Sequence, residues 1–250
     1  MAFALLIPLT PLLASAASLE WHPGPGYRSA ALAIPPAGKT GFTKLPPAAT
    51  GVTFTNELND QFPAINRILE NGSGVALGDV DGDGWCDIYF CKLEGPNALF
   101  RNLGDWKFAD ITATAGVACD GQFSTGAVFA DLDGDGDLDL LLNSIGGGTR
   151  SFLNDGQAHF TEITDTRLVR RFGATAMALA DIDGDGDLDL YVTNYRTTTY
   201  KDRPPDLKVE AQMVDGKIVV TPADRFILIT PREGGVEVWE KGERDFLYVN

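Results

Sequence analysis

Histidine, cysteine and basic residues are scarce in this chain. Its 250 residues include two histidines and three cysteines, and 35 acidic residues outnumber 20 lysines and arginines, which gives a formal net charge of −15. With so few histidines, and no partner residues arranged around them, a histidine-based catalytic centre is disfavoured, and we expect His22 and His159 at the surface. The acidic balance and the lack of a basic stripe argue against nucleic acid or an anionic membrane as a partner.

Long apolar runs are also missing after the N-terminus. The opening MAFALLIPLTPLLASAAS is too short and too interrupted by proline to span a membrane. Ala14-Ser15-Ala16 fits the small-x-small cleavage rule, so residues 1–16 are predicted to be a signal peptide. Residues 17–41 are rich in Pro, Gly and Ala and are predicted to form an extended lead-in. We therefore expect a secreted protein that is extracellular, at the cell surface or periplasmic.

The acidic residues are concentrated in three nine-residue stretches. These are DVDGDGWCD from Asp79, DLDGDGDLD from Asp131 and DIDGDGDLD from Asp181, which begin 52 and 50 residues apart. They hold 14 of the 35 acidic residues, so the rest of the chain has 21 acidic against 20 basic residues and is nearly neutral. Acidity that is this local indicates bound cations rather than a generally acidic surface.

Each stretch has the pattern D-x-D-G-D-G-x-x-D, which suits a loop curled around a cation. Side-chain oxygens at positions 1, 3, 5 and 9 and the carbonyl at position 7 can converge, and glycines at positions 4 and 6 allow the positive φ angles of such a curl. Hard oxygen ligands with several negative charges favour Ca2+ over Mg2+ and Zn2+. The predicted ligands of three calcium sites are Asp79, Asp81, Asp83, Trp85 and Asp87; Asp131, Asp133, Asp135, Asp137 and Asp139; and Asp181, Asp183, Asp185, Asp187 and Asp189.

Three other interpretations of the loops are less favourable. An EF-hand needs a glutamate at position 12 and flanking helices, whereas position 12 is Phe90, Leu142 or Val192 between strand-like runs. A phosphatase with one nucleophilic aspartate would not need the motif three times. Turns that bind nothing would leave like charges clustered at a cost in folding free energy.

The flanking sequence predicts an all-β fold. Short apolar runs such as AVFA and DLLL border each loop, and a third strand, a polar turn and a fourth strand follow in units of roughly 50 residues, which is typical of a β-propeller blade. Residues 42–250 are predicted to form a partial propeller of about three blades, with residues 196–244 as a β-rich insertion in the third. Because propellers typically have four to eight blades, we expect the N-terminal part of a longer protein.

The repeats also resemble a known family. FGATAMALADIDGDGDLDLYV from Phe172 and FSTGAVFADLDGDGDLDLLLN from Phe123 resemble the FG-GAP/VCBS repeat of integrin-alpha-type propellers, and NGSGVALGDVDGDGWCDIYF from Asn71 does so without the Phe. The lead-ins GFTKLPPAATGVTFTN and FADITATAGV resemble the cartilage-acidic-protein-like branch more narrowly. The resemblance implies a seven-bladed, calcium-binding propeller. No Gly-Ala-Pro follows the loops, so it does not imply integrin-like ligand binding.

The strand directions lead to predictions for the cysteines and the insertion. Cys91 ends a second strand and Cys119 follows a fourth, so both are placed on the face opposite the metal loops and are predicted to form a disulfide, the alternative being three reduced thiols. Cys86 at loop position 8 is predicted to be a buried free thiol. The insertion is expected on the same face as Cys91.

Two functions follow from these patterns. The first is a non-enzymatic, calcium-binding scaffold for recognition or adhesion, with a protein or glycan ligand on the face opposite the calcium loops. The second is a propeller scaffold or accessory domain of a larger secreted carbohydrate-active enzyme whose catalytic part is not in this sequence. The first is favoured because the sequence offers no catalytic constellation.

Overall fold

The computed structural model describes residues 21–25, 27–30, 41–61, 67–163, 167–168, 172–197, 208–223, 225–229 and 235–250. The predicted signal peptide and parts of the predicted lead-in lie outside these ranges. The chain divides into two units, residues 1–44 and 45–250. In the first unit, β1 (Trp21–Gly24) and β2 (Tyr27–Ala30) form an antiparallel hairpin.

The second unit consists mainly of short strands. Among its described residues, two four-residue helices, each ended by a glycine with positive φ, and one 3-10 turn accompany them: α1 (Pro47–Thr50), α2 (Thr112–Ala115) and the turn Arg67–Asn71. The strands are β3 (Val75–Gly78), β4 (Asp87–Phe90), β5 (Ala98–Asn102), β6 (Phe108–Asp110), β7 (Phe123–Ala130), β8 (Asp139–Ile145), β9 (Gly148–Asn154), β10 (Phe160–Ile163), β11 (Ala174–Ala180), β12 (Asp189–Asn194), β13 (Glu210–Val214), β14 (Lys217–Thr221), β15 (Phe226–Ile229), β16 (Glu237–Glu240) and β17 (Phe246–Tyr248).

Three antiparallel sheets form the repeating part of the fold. The first blade has the strand order β3-β4-β5-β6 and the second has β7-β8-β9-β10, while the third has β11-β12-β17. Each aspartate loop joins the first strand of its blade to the second. The predicted all-β fold of a partial propeller is therefore confirmed, and the four-strand unit is present as expected in the first two blades.

The core lies between the blades because alternate residues of each first strand face opposite neighbours. Ala76 and Val80 of the first blade are buried in one cluster with Phe129 of the second. Val128 of the second blade packs in another cluster with Met177 of the third. Each blade thus contributes one apolar face to each adjacent blade.

The outer faces of the first and third blades are exposed. Val75 and Leu77 of β3 are 51% and 62% exposed, and Ile182 of the third loop is 58% exposed. The equivalent of Ile182 in the first loop, Val80, is 1% exposed because it packs against the second blade. Burial at these positions depends on a neighbouring blade rather than on the residue type.

The insertion in the third blade is β-rich, as predicted. Its described residues form two antiparallel hairpins, β13–β14 with a turn at Asp215-Gly216 and β15–β16, before β17 pairs with β12. The Glu243 carboxylate accepts hydrogen bonds from the backbone N–H groups of Gly173 and Thr197 and fixes the point where the insertion leaves and rejoins the blade. The chain leaves β12 at Asn194, while the aspartate loop enters the same strand at Asp189. The insertion and the loop are therefore at opposite ends of the sheet.

Candidate metal centre

Each aspartate loop brings three carboxylates together. The groups are Asp79, Asp81 and Asp87; Asp131, Asp133 and Asp139; and Asp181, Asp183 and Asp189, and in each group one oxygen per residue lies within 4.8 Å of the others. These are positions 1, 3 and 9 of the motif. The structure thus juxtaposes side chains that are up to eight residues apart in sequence at three separate places.

The aspartate at position 1 organises the loop backbone. Asp131 accepts hydrogen bonds from the N–H groups of Gly134 at 2.8 Å and Gly136 at 3.1 Å, and Asp181 accepts the same pair in the third loop. Both glycines of the second loop have positive φ, 81° and 94°. The left-handed backbone turns these N–H groups inward, which explains why glycine stands at positions 4 and 6.

The aspartate at position 9 is the buried anchor of each site. Asp87, Asp139 and Asp189 are at most 1% exposed. In the second blade, the two carboxylate oxygens of Asp139 accept hydrogen bonds from the N–H groups of Leu132 and Asn154, each at 2.8 Å. This aspartate therefore joins the loop to both the second and the third strand of its blade.

Sequence reasoning missed one recurring partner of these anchors. Asn102 and Asn154 end the third strands of the first two blades, and Asn250 follows the third strand of the third blade; each donates its backbone N–H to the position-9 aspartate. The side chain of Asn154 also donates to the carbonyls of Leu138 and Val80, which links the second blade to the first. The repeated Asn after the third apolar run was the available sequence signal.

Positions 5 and 7 lie outside the three-carboxylate groups. The side chains of Asp83, Asp135 and Asp185 each accept a hydrogen bond from the backbone N–H of position 7, at 2.9 to 3.0 Å, which tightens the turn. At position 7, Trp85 is 52% exposed, and Asp137 and Asp187 occupy the equivalent places. Their assignment as calcium ligands stays a prediction.

Burial perturbs two of the anchor carboxylates. The pKa of Asp87 is raised, first by desolvation and then by the neighbouring charges of Asp81 and Asp83, against the lowering effect of its two backbone hydrogen bonds. The pKa of Asp139 is raised in the same way. Without a cation, these sites disfavour the charged form of a carboxylate that they bury.

The geometry fits a calcium ion. Oxygens on opposite sides of Ca2+ lie roughly 4.6–5.2 Å apart because each is about 2.3–2.6 Å from the ion. Three carboxylate oxygens within 4.8 Å of one another can therefore all contact one Ca2+. The donors are all oxygen, which suits this hard cation better than Zn2+.

The sequence pattern of the FG-GAP-like repeat matches residues 79–142 and 131–192, which contain all three loops. Residues 79–192 of this chain therefore carry FG-GAP-like repeats. It is 35% identical to cartilage acidic protein 1 of Xenopus tropicalis over 95 residues and 33% identical to the Homo sapiens protein of that name over 99 residues. These matches cover 37% and 38% of this chain but only 15% of the length of either relative.

The cysteines differ from expectation at one position. Cys86 is exposed, so its predicted burial is wrong. Its counterpart Leu138 packs against the first blade, where a Cβ at Gly78 would lie 2.7 Å from its Cδ1. The loop of the first blade has no such neighbour among the described residues, because its outer face is exposed.

Cys91 and Cys119 are free thiols in the structure, and both pack in or against the same apolar cluster. The predicted disulfide between Cys91 and Cys119 stays a prediction, and peptide mapping without reductant tests it. His159 lies exposed on the turn between β9 and β10, with its Nδ1 3.0 Å from an Asp155 carboxylate oxygen. No helix within the described ranges is long and apolar enough to cross a membrane.

Proposed function

We propose that this chain is a secreted, calcium-binding, non-enzymatic repeat scaffold that serves recognition or adhesion. The observation that carries the proposal is the threefold convergence of carboxylate oxygens at the same end of successive blades. The FG-GAP repeats and the similarity to cartilage acidic protein 1 support it. The proposed signal peptide, residues 1–16, accounts for secretion.

In this proposal each loop holds one calcium ion through its carboxylates at positions 1, 3, 5 and 9 and the carbonyl at position 7. The ion supplies positive charge that offsets the repulsion within a loop of four or five aspartates. The buried position-9 aspartates, such as Asp139, then transmit binding to the blade, because they already bond to the neighbouring strands. Calcium should therefore stabilise the folded chain progressively, as its free concentration rises above the dissociation constants of the loops.

Calorimetric titration of the metal-stripped chain with calcium tests this proposal. We expect three bound ions, with dissociation constants of roughly 10⁻⁴–10⁻³ M as in other extracellular modules. Asp133→Ala should remove one of them, whereas Asp60→Ala, an exposed aspartate outside the loops, should leave all three. A titration without calcium uptake, together with a melting temperature that a chelator does not change, would contradict the proposal.

For the ligand site, we propose the insertion at the end of the third blade opposite its calcium loop. Trp239 is 54% exposed and Val238 45% exposed on β16, and Met213 is 68% exposed on β13. Exposed aromatic and apolar side chains on hairpins are a common basis for protein or glycan contact. Deleting residues 200–242 should abolish ligand binding and keep calcium uptake, whereas a deletion variant that retains ligand binding would refute this assignment.

A further inference from the structure

The side chain of Arg101 brings a positive charge to the first aspartate loop. It lies on β5, and its guanidinium forms ion pairs with Asp81 through Nε and with Asp83 through Nη2, the latter at 3.0 Å. The side chain of Asp81 is only 8% exposed. Because Asp81 is also one of the three clustered carboxylates of the first loop, the arginine and a metal ion would share a ligand.

The other two blades have no such cation at the equivalent place. Pairing with the second strand aligns Phe100, Phe152 and Tyr248, so the next residue is Arg101 in the first blade, Leu153 in the second and Val249 in the third. The first loop also has four aspartates rather than five, since position 7 is Trp85. Two differences in one loop therefore reduce its net negative charge.

We propose that Arg101 is a built-in counter-ion that makes the first loop the weakest of the three calcium sites. The inference rests on the proposed calcium function. A calcium ion entering this loop must displace the guanidinium from Asp81 or bind beside its positive charge, and either course lowers affinity. Partly exposed ion pairs of this kind account for up to about a fivefold change in a binding constant.

The same contact has the opposite effect on the metal-free chain. Arg101 compensates part of the carboxylate repulsion in the first loop, while the residues at the equivalent position in the second and third blades, Leu153 and Val249, are uncharged. Removing Arg101 should therefore make calcium bind more tightly and make the metal-free first blade less stable. A purely structural role for the arginine would produce only the second effect.

Terbium luminescence that is excited through tryptophan reports metal binding at the first loop, because Trp85 lies within that loop. The full chain is loaded with terbium as a calcium analogue, and calcium is titrated in to displace it. Trp85→Phe, which should remove most of the signal, verifies its source. The matched variants are Arg101→Leu, which copies the second blade, and Leu153→Arg, which places the arginine in the second blade.

We expect Arg101→Leu to tighten calcium binding at the first loop by up to about fivefold and to lower the melting temperature in chelator. Leu153→Arg should leave the first-loop signal unchanged and weaken one other site in calorimetry by a similar factor. Equal or weaker first-loop binding in Arg101→Leu would overturn this inference while leaving the calcium function intact. A wild-type chain that takes up no calcium at any loop would overturn both.

Discussion

Substitution of Asp139 tests whether this aspartate anchors its loop to the blade in addition to any role as a calcium ligand. Asp139→Ala removes hydrogen bonds from two backbone N–H groups, those of Leu132 and Asn154, each 2.8 Å from the carboxylate. A hydrogen bond to a charged group contributes ~1.5–3 kcal/mol. The loss is partly offset because burial raises the pKa of Asp139 and so disfavours its charge. We expect a net decrease in the free energy of unfolding of about 2–4 kcal/mol.

For a unit of this size, that change lowers the melting temperature by roughly 4–16 °C. Thermal unfolding followed by circular dichroism should show the decrease both in calcium and in chelator, because the hydrogen bonds do not require the metal. Asp133→Ala is the matched control, since Asp133 is exposed and accepts a hydrogen bond from the Asp135 N–H within its own loop. We expect Asp133→Ala to lower the melting temperature only when calcium is present, and not in chelator. An Asp139→Ala chain as stable as wild type in chelator would refute the anchoring role.

Two further predictions concern thiol reactivity and backbone packing. In the native chain a maleimide should label the exposed Cys86 and spare Cys91, which is 1% exposed and has a pKa raised by burial to about 12; mass spectrometry that finds Cys91 modified first would contradict this. Gly51→Ala should destabilise the fold by about 2–4 kcal/mol, because a Cβ there would lie 2.5 Å from the Phe108 carbonyl oxygen. Gly72 has a similar φ but open space around it, so Gly72→Ala should lower the free energy of unfolding by only about 1 kcal/mol. Chemical denaturation measures both changes. Equal losses would show that the close approach at Gly51 is unimportant.

Much of the fold could be predicted from the sequence because it depends on residues that are close together in the chain. The short apolar runs beside each loop, the polar turns and the period near 50 residues predicted the blades, and the Asp215-Gly216 turn predicted the hairpin within the insertion. The positions of the glycines in the loops likewise follow from the backbone conformation that the curl requires. Each of these features involves residues within a few positions of one another.

What only the tertiary structure decided depends on contacts between distant segments. Asn154 and Arg101 reach the loops from third strands that lie 15 or more residues further along the chain, and no motif within a loop specifies them. Cys86 is exposed although Leu138 at the same motif position is packed, because one loop borders another blade and the other borders the exposed face. The sequence by itself determined which residues could bind a cation. The packing of strands and blades determined which carboxylates are buried, which are paired and which remain open, because those properties depend on the neighbours that surround each charge.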